Sequence, residues 1–415
     1  MHGHVNPTLG FTQELVARGH QVSFYSTPEF ATSVTATGAQ FIPYASVLGK
    51  EIGLTAKIQA EHATAGKPPP KSMSMAARFI SEFSSTFTPL FEHLSQEMPD
   101  LIVYDFVSLA SWIVARHLNI KTIKFYTTYA SNSHYNLMRE TFAKYEQPNP
   151  EELHYVQNLV DGICKQHRCA SVPLSTIMEH VDADNLVFMP RSFQPFGETF
   201  DQRFHFVGPC IRPAVHSATH SIIPAGSGPI LIISLGSLYH QWPEFYRDCL
   251  VAFGSTSWRV VMATGNLDAR ELGPIPSNFS VMPHIPQIEL LANASLFISH
   301  GGMNSTMEAA SFGVPLIVIP QIEEQEVTAM RVQEAKLGRY LKRSEVTARV
   351  LREAADEVLA SRNILQNMAQ LQEDIKQSGG SSRVCDLVES RLSSDHSSPQ
   401  AVSVQKQRLT QRVPL

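Results

Sequence analysis

This 415-residue sequence is short of the features that would make it a membrane, secreted disulfide-bonded or nucleic-acid-binding protein. Five cysteines, an odd and sparse set, argue against a disulfide framework and for reduced thiols in the cytosol. The longest apolar runs are strand-length, well below the roughly 18 residues that cross a bilayer, and no signal peptide is visible. Basic residues are not in excess: 33 Lys and Arg against 38 Asp and Glu leave a net charge of −5 and no cationic stripe for nucleic acid. Cys164 and Cys169 flank His167, but no second ligand pair follows at zinc-site spacing. Ala65-Gly66-Lys67 lacks the first glycine and the Ser or Thr of a phosphate loop.

What is present reads as two α/β halves, since 43% hydrophobic residues over this length can bury two cores. Helix 7–18, strand 21–26, helix 28–37, strand 40–43, strand 101–105, a helix from about 108 and strand 121–126 alternate as a parallel sheet requires. A long insertion covers 49–98, with Lys67-Pro68-Pro69-Pro70 marking a loop. Residues 211–228 cluster Ser, Pro and Gly and read as a linker. Strands at 230–234, 258–263, 295–299 and 314–319 build the second half. The expected division is therefore 1–210, the linker, 229–392, and a disordered Ser/Gln-rich tail over 393–415.

The most informative run is His300-Gly301-Gly302-Met303-Asn304-Ser305-Thr306-Met307-Glu308, which follows the apolar strand Leu296-Phe297-Ile298-Ser299 and opens a helix. Two glycines let backbone approach a ligand, and the unpaired N–H groups and dipole of a helix start favour a phosphate. Asn304 and Ser305 add side-chain donors, and Glu308, one turn on, can accept from two neighbouring sugar hydroxyls. A plain strand-to-helix turn capped by Asn304 is the bland alternative for the run alone. Asn304-Ser305-Thr306 is also a glycosylation sequon, and a glycan there would block the site, which favours a cytoplasmic address.

Upstream stands His284-Ile285-Pro286-Gln287, and downstream Gly313-Val314-Pro315 and Glu324-Gln325. Together these segments resemble the donor-binding signature of the family-1 UDP-glycosyltransferases, in one fixed order across residues 284–325. The resemblance implies an α/β GT-B fold, in which two Rossmann-like domains face each other across a cleft. It implies that His284, Ile285 and Gln287 meet the nucleoside, that His300, Gly302, Asn304 and Ser305 meet the diphosphate, and that Glu308 holds the ribose. Glu324 and Gln325 would hold hydroxyls of the transferred sugar, and Ser237, in the turn Leu235-Gly236-Ser237, would touch the phosphates. At the His284 position the family usually has a Trp stacked on uracil, so this chain offers a smaller stacking face.

At the other end, Met1-His2-Gly3-His4-Val5-Asn6-Pro7 leads into a helix closed by Gly19 and resembles the macrolide-type branch. That likeness implies that His4 is the base removing the acceptor proton and that Asp105, ending strand 101–105, stabilises the imidazolium. Phe106, Tyr126, Tyr129, His134 and Tyr135 either line an acceptor pocket or are core aromatics. Asp182-Ala183-Asp184 has the form of a metal-binding pair but precedes the strand 185–189, and reads as a solvated turn.

The expected reaction is inverting transfer of a hexose, glucose first, from a UDP-sugar co-substrate to a hydroxyl of a lipophilic phenolic, flavonoid or macrolide-like acceptor, with neither metal nor other cofactor. Two readings stay open: a catalytically impaired nucleotide-sugar-binding protein descended from such an enzyme, and a nucleotide-sugar epimerase. The first is prompted by residue 1 itself, which falls in the loop that follows the first strand of such a half; related sequences carry about a dozen residues before it, including a central strand. The expectation is an incomplete N-terminal sheet and a poorly folding or inactive chain.

Overall fold

The computed structural model describes residues 2–46, 75–137, 139–140, 150–212, 221–236 and 241–393. The C-terminal half holds a six-stranded parallel sheet: β7 (Ile230–Ser234), β8 (Arg259–Ala263), β9 (Phe279–Met282), β10 (Leu296–Ser299), β11 (Leu316–Val318) and β12 (Gly338–Tyr340), in the order β12-β11-β10-β7-β8-β9. Helices cover both faces, so the central strands are apolar without alternation, and all five residues of β7 are buried. The order reverses between β7 and β10, and a doubly wound sheet opens its ligand crevice at that point, beyond the carboxyl ends.

The N-terminal half is divided. β1 (Ser23–Ser26) pairs in parallel with β2 (Gln40–Pro43), and separately β3 (Leu101–Asp105), β4 (Lys121–Tyr126), β5 (Asn185–Val187) and β6 (Phe204–Phe206) form a four-stranded parallel sheet. Among the described residues no ladder joins β1 to β3. A cavity of about 2140 Å³ is lined by both strands, with helix α1 (His2–Ala17) and helix α3 (Met75–Glu97) contributing Phe11, Leu15, Phe83 and Leu94. Val22 O and Ser26 O accept from the β2 side, and Phe106 N donates to Phe125 O beside β4. Because successive residues of a strand aim their N–H and C=O to opposite sides, Ser23, Tyr25, Leu101 and Val103 turn theirs into the gap.

Two expectations need correction, and the insertion 49–98 contains an element of its own. There α3, 23 residues long, buries Phe83, Phe87 and Leu94 against α4 (Leu109–Leu118) and α5 (Pro150–Gln166), with α2 (Ala31–Thr35) preceding it. The Lys67-Pro68-Pro69-Pro70 stretch, residues 213–220 of the linker and the tail beyond 393 lie outside the described residues. The Asp182 turn is not solvated: Asp182 is buried, its carboxylate accepting from Thr122 and bonded to His180 Nε2 at 2.9 Å, while Asp184 meets His205 at 2.9 Å. Finally, the C-terminal helix, Gly380–Ser393, does not stay on the C-terminal half; Val384, Cys385 and Val388 pack with Phe11, Leu15, Ile123 and Leu186 of the N-terminal half.

Candidate active site

Helix α1 begins where β3 ends. His4 Nδ1 lies 2.7 Å from Asp105 Oδ2 and 3.3 Å from Thr127 Oγ1, and Asp105 Oδ1 accepts from the Val107 N–H at 3.1 Å. With Nδ1 engaged, Nε2 is the nitrogen left for a substrate, and His4 lines the cavity. Burial pulls the His4 pKa down, but the Asp105 carboxylate and its hydrogen bond outweigh that and raise it above the ordinary imidazole value. The pair therefore favours the protonated ring. Phe106 stacks on His4 at 6.2 Å and on Tyr126 at 5.3 Å, making an aromatic floor beside the imidazole.

The C-terminal half meets this site at its sheet's switch point. His300 follows β10, and a Cβ on Gly236 or Gly302 would stand 2.7 or 2.5 Å from its ring, so only glycine fits on these two sides. Burial pulls the His300 pKa down to about 4, leaving a neutral imidazole. The next helices are α6 (Leu174–Glu179), α7 (Pro243–Phe253), α8 (Gln287–Leu291) and α9 (Met303–Ser311). Gly302, not Asn304, is the cap of α9, with no side-chain capping bond, so the first N–H groups of the helix stay available. Gln287 Nε2 donates to Glu308 Oε2 at 2.6 Å and to Ser305 Oγ at 3.2 Å, and burial raises the Glu308 carboxyl to about 7. Asn304 Nδ2 crosses the cleft to the Gly3 carbonyl at 3.0 Å.

Residues 248–389 match the family model for the C-terminal domain of erythromycin biosynthesis protein CIII-like proteins. The NDP-glycosyltransferase YjiC of Bacillus licheniformis is 38% identical over 394 residues, 94% of this chain and 95% of its own. The demethyllactenocin mycarosyltransferase of Streptomyces fradiae is 30% identical over 94% of this chain and 84% of its own. The crystal structure of the calicheamicin glycosyltransferase CalG4 superposes with a TM-score of 0.80 at 32% identity, covering 94% of this chain and 96% of that one. The chain belongs to the macrolide-type family-1 glycosyltransferases. Its fold is GT-B, and its chemistry is glycosyl transfer.

In this glycosyltransferase the residues singled out in sequence fall into three groups. His4, Asp105, Phe106, Tyr126, Tyr129 and Glu324 line one cavity, and Glu324 interacts electrostatically with His4 from across the cleft. Gln287, His300, Gly302, Asn304, Ser305 and Glu308 gather around the start of α9, with Ile285 packed on the core beneath and His284 exposed, close enough to His2 to affect its charge. Gln325, in α10 (Glu323–Glu334), is buried, its side-chain oxygen accepting from Gln321 N at 2.8 Å. His134 is not brought to this site: it is exposed, bonded to Ser133, and outside the cavity lining, and Tyr135 is core. Ser237 lies outside the described residues. Sequence reasoning missed Thr127, whose signal was its place just after β4, beside the carboxyl end of β3, and Gly236, whose positive φ of 80° shows only in coordinates.

Proposed function

We propose that the glycosyltransferase moves a hexose, glucose first, from a UDP-sugar to a hydroxyl of a lipophilic small molecule, inverting the anomeric carbon and using no metal. The observation that carries this reading is the His4–Asp105 pair near the start of α1, joined to the glycine-flanked start of α9 by the hydrogen bond from Asn304 Nδ2 to the Gly3 carbonyl at 3.0 Å. His4 Nε2 takes the acceptor proton as the oxygen attacks C1 from the face opposite the leaving group. The breaking C1–O bond leaves its electrons on the diphosphate, where the free N–H groups of α9 and the Asn304 and Ser305 side chains donate to it. Glu308 receives the ribose hydroxyls, with Gln287 moving aside, and Glu324, which lines the cavity, receives a hydroxyl of the sugar. YjiC carries NDP-glycosyltransferase in its name, and calicheamicin and lactenocin relatives act on natural products, which supports a small organic acceptor. His284 in place of an aromatic platform makes the base the least constrained part, so UDP- and TDP-glucose belong in the same assay.

The test is product analysis with a phenolic acceptor: a β-glucoside from the α-linked donor, with turnover surviving EDTA. His4→Ala should lower turnover by roughly 10² to 10⁴ and leave UDP affinity within about twofold. Retained configuration, loss on chelation restored by manganese, or wild-type turnover in His4→Ala would each overturn the corresponding part.

A further inference from the structure

Helix α1 carries a proline in its interior. Pro7 is the sixth residue of the helix and is buried, and a proline there removes the N–H that would otherwise bond to the carbonyl four residues back. That carbonyl belongs to Gly3. It is the one that Asn304 Nδ2 reaches, at 3.0 Å, from the opposite half of the molecule. The Gly3 carbonyl shares a rigid peptide plane with the His4 N–H, so holding it sets the backbone from which the imidazole hangs. The ring is held independently at Nδ1 by Asp105.

We propose that Pro7 and Asn304 are paired positioning residues. Pro7 keeps the Gly3 carbonyl free of its own helix, and Asn304 claims it, so that the backbone of the base is registered against the donor half while its side chain is registered against the acceptor half. The inference rests on the reading of His4 as base. Neither residue touches the transferred proton. Because Asn304 stands in the first turn of α9, beside the N–H groups that face the diphosphate, the same short segment meets donor and base. This accounts for a helix breaker in the middle of a functional helix, where it ordinarily costs ~3 kcal/mol.

The experiment is a double-mutant cycle on kcat, acceptor KM and UDP affinity with Pro7→Ala, Asn304→Ala and the pair. Pro7→Ala returns an N–H to the helix, which takes the Gly3 carbonyl back. The expected result is a thermal midpoint at or above that of the parent, kcat lower by about five- to tenfold, and UDP affinity unchanged, since Pro7 does not face the donor. Asn304→Ala should lower kcat by a similar factor and weaken UDP as well. On the Asn304→Ala background, Pro7→Ala should change kcat less than twofold. Parental kcat in Pro7→Ala, or losses that multiply in the pair, would overturn the proposal. Parental turnover in His4→Ala is a different outcome and would overturn the base assignment instead.

Discussion

Glu308 sits in an environment far from that of an ordinary surface carboxylate. Its carboxyl is raised to about 7 because burial disfavours the charged form, and the Gln287 hydrogen bond only partly offsets this. At pH 6 it is mostly neutral and at pH 8 mostly ionised. A carboxylate accepts from both ribose hydroxyls and a carboxylic acid from fewer, so donor binding should favour the ionised form and release a proton near neutrality. Affinity for UDP-glucose should therefore rise by roughly tenfold from pH 6 to pH 8. Glu308→Gln should bind more weakly and flatten that slope, as titration calorimetry in two buffers will show; an unchanged slope would remove Glu308 from the ribose site. At this scale the sequence was legible only through context. The residue types of the donor run can be read as phosphate and ribose partners because their spacing follows a strand and opens a helix. The His4–Asp105 bond spans 101 positions, and no local pattern connects its ends.

Elements were legible where physics acts locally. β7, β10 and β11 are buried on both faces and read as unbroken apolar runs. β6 (Phe-His-Phe), β9 (Phe-Ser-Val-Met) and β12 (Gly-Arg-Tyr) were missed because three or four residues are too few to establish a period, and each exists through pairing with a neighbour. The gap between β1 and β3 is also an element-scale fact, since among the described residues no ladder pairs the facing edges of the two strands, and two apolar helices line the space. The carboxyl ends of both strands lie at the start of α1, because His2 packs on Phe30 just past β1 and His4 bonds Asp105. An extended apolar strand of about five residues, roughly 16 Å long, would match β3 in length. Fused ahead of residue 1, such a segment is expected to slow amide exchange at Tyr25 and Val103 and raise the thermal midpoint, while a proline-containing segment of equal length should do neither. Slow exchange at these amides in the chain as it stands would mean that β1 and β3 already satisfy each other.

For the molecule as a whole, the surprise is the return of the chain. Helix α11 (Ala348–Ala360) and helix α12 (Arg362–Ser378) complete the donor half, and α13 (Gly380–Ser393) then crosses to the acceptor half. Sequence order assigned it to its neighbours, and only the apolar stripe of Val384 and Val388, which fits either half, was there to suggest otherwise. Removing 380–393 should destabilise the N-terminal half, since each fully buried aliphatic side chain contributes ~1.5 to 3 kcal/mol. Limited proteolysis should then cut the N-terminal half first, and protection there equal to the parent would deny α13 that role.

The two passages between halves meet. Gly380 N donates to Val207 O at 2.8 Å, and a Cβ on Gly208 would stand 3.1 Å from the Ser378 side chain. Gly208, Gly379 and Gly380 all have positive φ, backbone that side chains rarely adopt. The halves are thus joined at a small pivot made of two chain passes bonded to each other, and the cleft behaves as a lever about it. An added methyl group at Gly208 tilts that lever at its fulcrum. The displacement is felt at the far lip, where Asn304 must still find the carbonyl of Gly3.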